Sequence, residues 1–120
     1  MSVQPNFKKP KSKPDPKYLD AVRELPCCIC DAFGELQLSP TTAHHPISGR
    51  HSQAKRPDRT AIPLCDGHHQ GNWDASKIAI HRDRADWEGR YGPDTDYIAA
   101  TQDRLLRRWP TGFASKGRNE

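Results

Sequence analysis

Two short pairs of soft ligands constrain this chain more than any other feature. Cys27 and Cys30 stand three positions apart, and Cys65 and His68 repeat that spacing further along. Each pair can present two donors from one tight knuckle, and together they supply the four that a closed tetrahedral zinc site takes. The chain needs such a staple. Only 33% of its 120 residues are hydrophobic, and it carries 11 prolines and 8 glycines, so burial alone yields a marginal fold. Thiols grouped in this way in a reducing compartment favour zinc over disulfides. Cys27, Cys30, Cys65 and His68 are therefore expected to hold a structural Zn2+, with Cys28 as a spare that could stand in for Cys27.

Charge is unevenly placed. Lys8, Lys9, Lys11, Lys13 and Lys17 face only Asp15 in the first 17 residues, so that stretch accounts for the whole formal charge of +4 and the remainder balances. Pro5, Pro10, Pro14 and Pro16 interrupt the same stretch, which reads as a disordered basic arm over 1–14 suited to lie along a polyanion. A domain is expected over 15–110 and a flexible tail over 111–120. Mean hydropathy is −0.96, and no apolar run approaches the about 20 residues of a membrane span. The amino terminus lacks the apolar stretch of a secretory signal, so a cytoplasmic protein with no membrane partner is expected.

Asp15 can cap a helix with Pro16 at its first position, continuing through Tyr18, Leu19, Val22 and Leu25 until Pro26 stops it. Leu36 and Leu38 read as a short strand, Thr41 to His45 as a second and Thr60 to Leu64 as a third extended piece. A short helix should begin near Cys65, with Gly71 ending it. Further helices are expected over Asp83 to Tyr91 and Asp94 to Trp109, with Tyr97, Thr101, Leu105 and Trp109 on one stripe.

The remaining histidines need separate work. Side chains of adjacent strand residues point to opposite faces, so His44 and His45 cannot serve one ion in the same way. His68 and His69 lie about 100° apart on a helix, so one can face the zinc knuckle and the other a separate cleft. Strands bearing His44 and His45, a return strand ending at Leu64 and a helix bearing His69 would form a ββα unit around a second metal.

The order CxxC, His44-His45, a basic loop, Ile62-Pro63-Leu64-Cys65-Asp66-Gly67-His68-His69, then Ala79-Ile80-His81, Trp87-Glu88 and Tyr91-Gly92 resembles the HNH, or ββα-metal, endonucleases, and within them the phage Ref-type recombination-enhancement nucleases and their prophage relatives. The resemblance spans about residues 18–109. It implies a small α+β, zinc-stabilised fold with a ββα-metal (His-Me finger) core and flanking helices. It makes His45 the general base, His44 and His69 ligands of a catalytic Mg2+ or Mn2+ whose place Zn2+ can take, and Thr60 the occupant of the slot where the family usually has an asparagine steadying the base. Trp73 stands where many members place a third ligand. His81 is then the replacement, with Asn72 as a weaker candidate.

That resemblance implies a DNA endonuclease yielding 5′-phosphate and 3′-hydroxyl ends in phage or prophage recombination, acting on single- or double-stranded DNA together with a host recombinase filament. The basic loop adds Arg50, Lys55, Arg56 and Arg59 as DNA-binding residues, which grip phosphate without reading bases, and Arg50 as the residue offsetting charge on the pentavalent phosphorus. Two rival readings are a non-catalytic zinc module binding DNA or protein, and a thiol redox centre at Cys27 and Cys30. The second is disfavoured by the expectation that no helix directly follows the CxxC.

Overall fold

In the computed structural model, residues 13–49 and 56–110 are described. Most of the expected basic arm, the tail from 111 on, and Arg50 and Lys55 lie outside them. Among the described residues the fold is a small α+β unit whose sheet has two strands.

Helix α1 (Pro16–Arg23) starts as the sequence dictates: the Asp15 carboxylate accepts from the Tyr18 N–H and proline occupies the first position. Cys27 caps α2 (Cys28–Phe33), its sulfur accepting from the Cys30 N–H, and Gly34 closes the helix at φ +66°. A helix thus does begin inside the CxxC, contrary to expectation. Leu36 and Leu38 form no strand and are exposed at 75% and 58%. Gln37 between them decides this. Its amide oxygen accepts from the Cys27 N–H and its amide nitrogen donates to Ser39 O and Thr41 Oγ1, so the polar residue turns inward and ties the knuckle to the first strand.

Strand β1 (Thr41–His44) pairs antiparallel with β2 (Ile62–Cys65), placing His44 opposite Ile62 and Thr41 opposite Cys65. All four residues of β2 are buried, as expected of a strand covered on both faces. On one side lie Ile29, Ile80, Trp87 and Tyr91 with the buried cysteines, and on the other Tyr18, Val22, Leu25 and Leu105. A 3-10 turn, Asp58–Thr60, precedes β2, so Thr60 is not extended as expected.

From β2 the chain passes directly into α3 (Asp66–His69). The Asp66 carboxylate accepts from the N–H groups of Asn72, Trp73 and Asp74, and Gly71 at φ +70° turns the chain back. Backbone bonds from Ile80 N to His68 O and from His81 N to His69 O then lay residues 80–81 against the helix. Helix α4 (Arg84–Tyr91), a 3-10 turn Asp94–Tyr97 and α5 (Ile98–Arg108) complete the order. The expected stripe holds: Thr101 and Leu105 are buried, while Tyr97 and Trp109 pack at its margins. Among the described residues no helix is long and apolar enough to cross a membrane.

Candidate metal centres

The knuckle at α2 and the β2–α3 junction bring four donors to one point. Nδ1 of His68 lies 3.6 Å from Cys27 Sγ, 3.7 Å from Cys30 Sγ and 3.5 Å from Cys65 Sγ, and the sulfurs of Cys30 and Cys65 are 3.9 Å apart. Zinc bonds of about 2.3 Å to sulfur and about 2.0–2.1 Å to nitrogen, at tetrahedral angles, set donor separations of about 3.8 Å between sulfurs and about 3.6 Å between sulfur and nitrogen. The four side chains fit that ion, and all four are buried. Cys28 stands outside the group, its thiol pushed up to about 12 by burial.

The surroundings complete the site. His68 Nε2 is 3.1 Å from Glu35 Oε1, which leaves Nδ1 bare for coordination. Tyr91 donates its hydroxyl to the other Glu35 oxygen at 2.9 Å, and Lys77 Nζ stands 3.5 Å from Oε1. Such partners orient a ligating imidazole and raise its basicity. The Trp87 indole N–H donates to His68 O at 3.0 Å, pinning the helix backbone beneath the ring. The thiols interact strongly: hydrogen bonding from Cys27 pulls the Cys65 thiol far down, with burial opposing and His68 assisting, while Cys27 is driven up by the same bond and by burial. A shared divalent cation is the chemistry that lowers all three together.

The second cluster joins β1, α3 and the returning segment. Ligand atoms of His44, His69 and His81 lie within 4.8 Å of one another, with ring centroids 5.0 to 5.3 Å apart. Hydrogen bonding decides which nitrogens face inward. His44 Nε2 is 2.8 Å from Asp94 Oδ2, so its Nε2 carries the proton and Nδ1 is bare. Thr42 donates its single hydroxyl proton to Leu64 O at 2.7 Å and therefore accepts from His69 Nδ1, also at 2.7 Å, which leaves His69 Nε2 bare. Burial, then the charges of His44 and His81, with Asp66 opposing, push His69 down to about 3; His45 adds to the same repulsion. Neutral imidazole is the ligating form, so this donor set fits a divalent ion. His44 and His69 are buried and His81 is exposed, so one side of the cluster is open to solvent.

His45, expected in the strand but lying one residue past its end, points elsewhere. Its Nε2 is 2.8 Å from Asp58 Oδ1, and Asp58 Oδ2 accepts from the Asp15 N–H at 2.8 Å. Thr60, expected to steady His45, instead donates its hydroxyl to Pro57 O at 2.6 Å. Two of the expected phosphate-gripping arginines are engaged within the chain: Arg56 donates to Pro46 O and Ser48 O, and Arg59 to Asp15 Oδ2. Trp73 is 84% exposed, and Asn72 accepts from Arg82 outside both clusters.

A family described as a protein of unknown function, DUF968, matches residues 3–108. The chain belongs to that family. No curated protein and no solved structure matches it. The matched span of this DUF968 protein contains every donor of both clusters, together with the residues that orient them.

Four of those orienting residues escaped sequence reasoning: Glu35, Thr42, Asp58 and Asp94. Thr42 alone left a signal, since it lies two positions before His44 and so shares its strand face. Asp94 is fully buried. Its carboxylate would be raised by burial, but the bonds from His44 and from the N–H groups of Ile47 and Ser48 outweigh that and hold it low. It touches His44 from 50 residues away, a distance at which spacing carries no information.

Proposed function

We propose that this DUF968 protein is a metal-dependent DNA endonuclease, hydrolysing phosphodiester bonds with little sequence specificity, whose β1, β2 and α3 serve as a ββα-metal core of the HNH kind. The observation that carries this reading is the imidazole cluster: two buried rings with their protons fixed outward and a third, exposed ring converge on one point, beside a strand whose next residue is a carboxylate-bound histidine. A packed structural role requires neither the fixed tautomers nor the open side.

On this reading His44, His69 and His81 hold a Mg2+, Mn2+ or Zn2+ ion. Such an ion supplies positive charge to a non-bridging phosphate oxygen and to the departing 3′ oxygen. His44 and His69 set its position from rigid elements, and the exposed side by His81 admits the phosphate. His45 accepts a proton from the attacking water at Nδ1, the nitrogen turned away from Asp58. In-line attack leaves a 5′ phosphate and a 3′ hydroxyl. Arg50 and Lys55, with the lysine-rich arm, are assigned the DNA backbone, Arg50 opposite the charge building on phosphorus. The Cys27, Cys30, Cys65 and His68 site, carrying zinc, keeps α3 and hence His69 in place. A role in phage or prophage recombination beside a host recombinase filament, in the cytoplasm, belongs to the same proposal.

The test is nicking of supercoiled plasmid by purified protein with magnesium or manganese, alongside His45→Ala. Nicking lost in the variant at unchanged zinc content supports the reading. Full nicking by the variant removes His45 as the base, and none by the wild type with both sites loaded leaves a zinc-stapled binding module.

A further inference from the structure

We infer that Asp58 is the positioning residue of the His45 base, and that it acts by dictating which imidazole nitrogen carries the proton. This rests on the reading of His45 as the base, but the geometry behind it is independent of that reading. The two carboxylate oxygens of Asp58 have different partners: Oδ1 faces His45 Nε2 and Oδ2 faces the backbone N–H of Asp15, each at 2.8 Å. A carboxylate only accepts, so the proton of neutral His45 resides on Nε2 and the lone pair on Nδ1.

The carboxylate has no freedom to swap these roles. Its turn is held from three directions. Ala61 N donates to Asp58 O, Gln102 of α5 donates to Arg59 O, and Arg59 donates to the Asp15 carboxylate that caps α1 while lying over the Tyr18 ring. His45 and Asp58 are themselves mostly buried, with side chains 16% and 20% exposed. The N-cap of α1 and the turn before β2 therefore form one brace behind the imidazole.

The arrangement makes Asp58→Asn a tautomer switch rather than a simple loss of charge. Asparagine has one oxygen, and the Asp15 N–H claims it. The NH2 group is then presented to His45 Nε2, which must become an acceptor, moving the ring proton to Nδ1. The nitrogen needed as the base is thereby blocked while residue 58 keeps its bonds to His45 and to the Asp15 N–H.

The experiment uses the full chain with both sites zinc-loaded and its histidines labelled with 15N. Long-range 1H–15N spectra read the tautomer of His45 directly, and plasmid nicking with magnesium reads the chemistry. Expected are an Nε2–H tautomer in the wild type, an Nδ1–H tautomer in Asp58→Asn, and a fall in kcat of about 100-fold or more with KM within about twofold. An Nδ1–H wild type, an unswitched Asp58→Asn, or a switched variant that nicks at the wild-type rate overturns the inference. The wild-type spectrum decides the first point even if the variant fails to fold. If the switch occurs but the wild type does not nick, the nuclease reading fails and the control of the His45 tautomer by Asp58 stands.

Discussion

His44 Nε2 lies 2.8 Å from Asp94 Oδ2, and both side chains are essentially inaccessible to solvent. The same carboxylate accepts from Ile47 N at 2.8 Å and Ser48 N at 3.0 Å, so one buried group orients the imidazole and the loop that leaves β1. Asp94→Asn should weaken metal binding at the imidazole cluster by about 10–100-fold. Zinc at the cysteine site should be retained. Titration with cobalt or zinc, following the two sites separately, checks this; unchanged affinity at the imidazole site would show that Asp94 serves packing alone.

Removing the cysteine-site metal should unfold the domain rather than merely loosen it. With so few large apolar residues, the α2 knuckle and α3 depend on donors that bury together only around a cation. Cys65→Ser, or exhaustive chelation of the wild type, should abolish the cooperative thermal transition and the native far-ultraviolet dichroism. A metal-free chain that melts cooperatively near the wild-type temperature would refute the staple.

His81→Ala probes the exposed corner of the imidazole cluster. Because His81 is accessible while His44 and His69 are buried, the substitution leaves no cavity and, compared with the imidazole site empty in both proteins, should change thermal stability by no more than about 0.5 kcal/mol. Second-site metal content after dialysis should nonetheless fall. Full retention of two ions per chain would exclude His81 as a ligand.

Gly71 connects α3 to the segment bearing His81. At φ +70° a side chain is strained, and its Cβ would stand 3.1 Å from Arg82 Nε and 3.2 Å from Ala79 Cβ. Arg82 holds that turn through Gln70 O at 2.7 Å. Gly71→Ala should therefore cost about 1–2 kcal/mol from the left-handed backbone alone, read as a lowered denaturation midpoint of the zinc-loaded protein.

Trp87→Phe should cost about 2–4 kcal/mol, because it removes both the indole N–H bond to His68 O and part of a fully buried ring. Urea denaturation of the metal-loaded chain measures it. A loss below the error of that measurement would mean the pocket collapses around the smaller ring.

The cysteine site was legible before any coordinates because its ligands come as two local pairs, and local spacing survives folding unchanged. The division of labour within His44-His45 and His68-His69 was equally legible, since strand and helix periodicity send neighbours in different directions. The α1 cap, the paired strands β1 and β2 and the α5 stripe follow from the same short-range geometry. Leu36 and Leu38 misled because their alternation suits a strand, yet Gln37 has three hydrogen-bond partners inside and the described residues offer no third strand to pair with. Thr60 misled because its place in a motif says nothing of where its hydroxyl turns. Chain connectivity alone thus determined which donors could cluster and on which side of each element. Packing decided which carboxylate or hydroxyl stands behind each imidazole, and so which nitrogen is bare: Asp94, Asp58 and Glu35 reach their histidines across loops, and a hydrogen bond between residues far apart in sequence exists only once burial has brought them together.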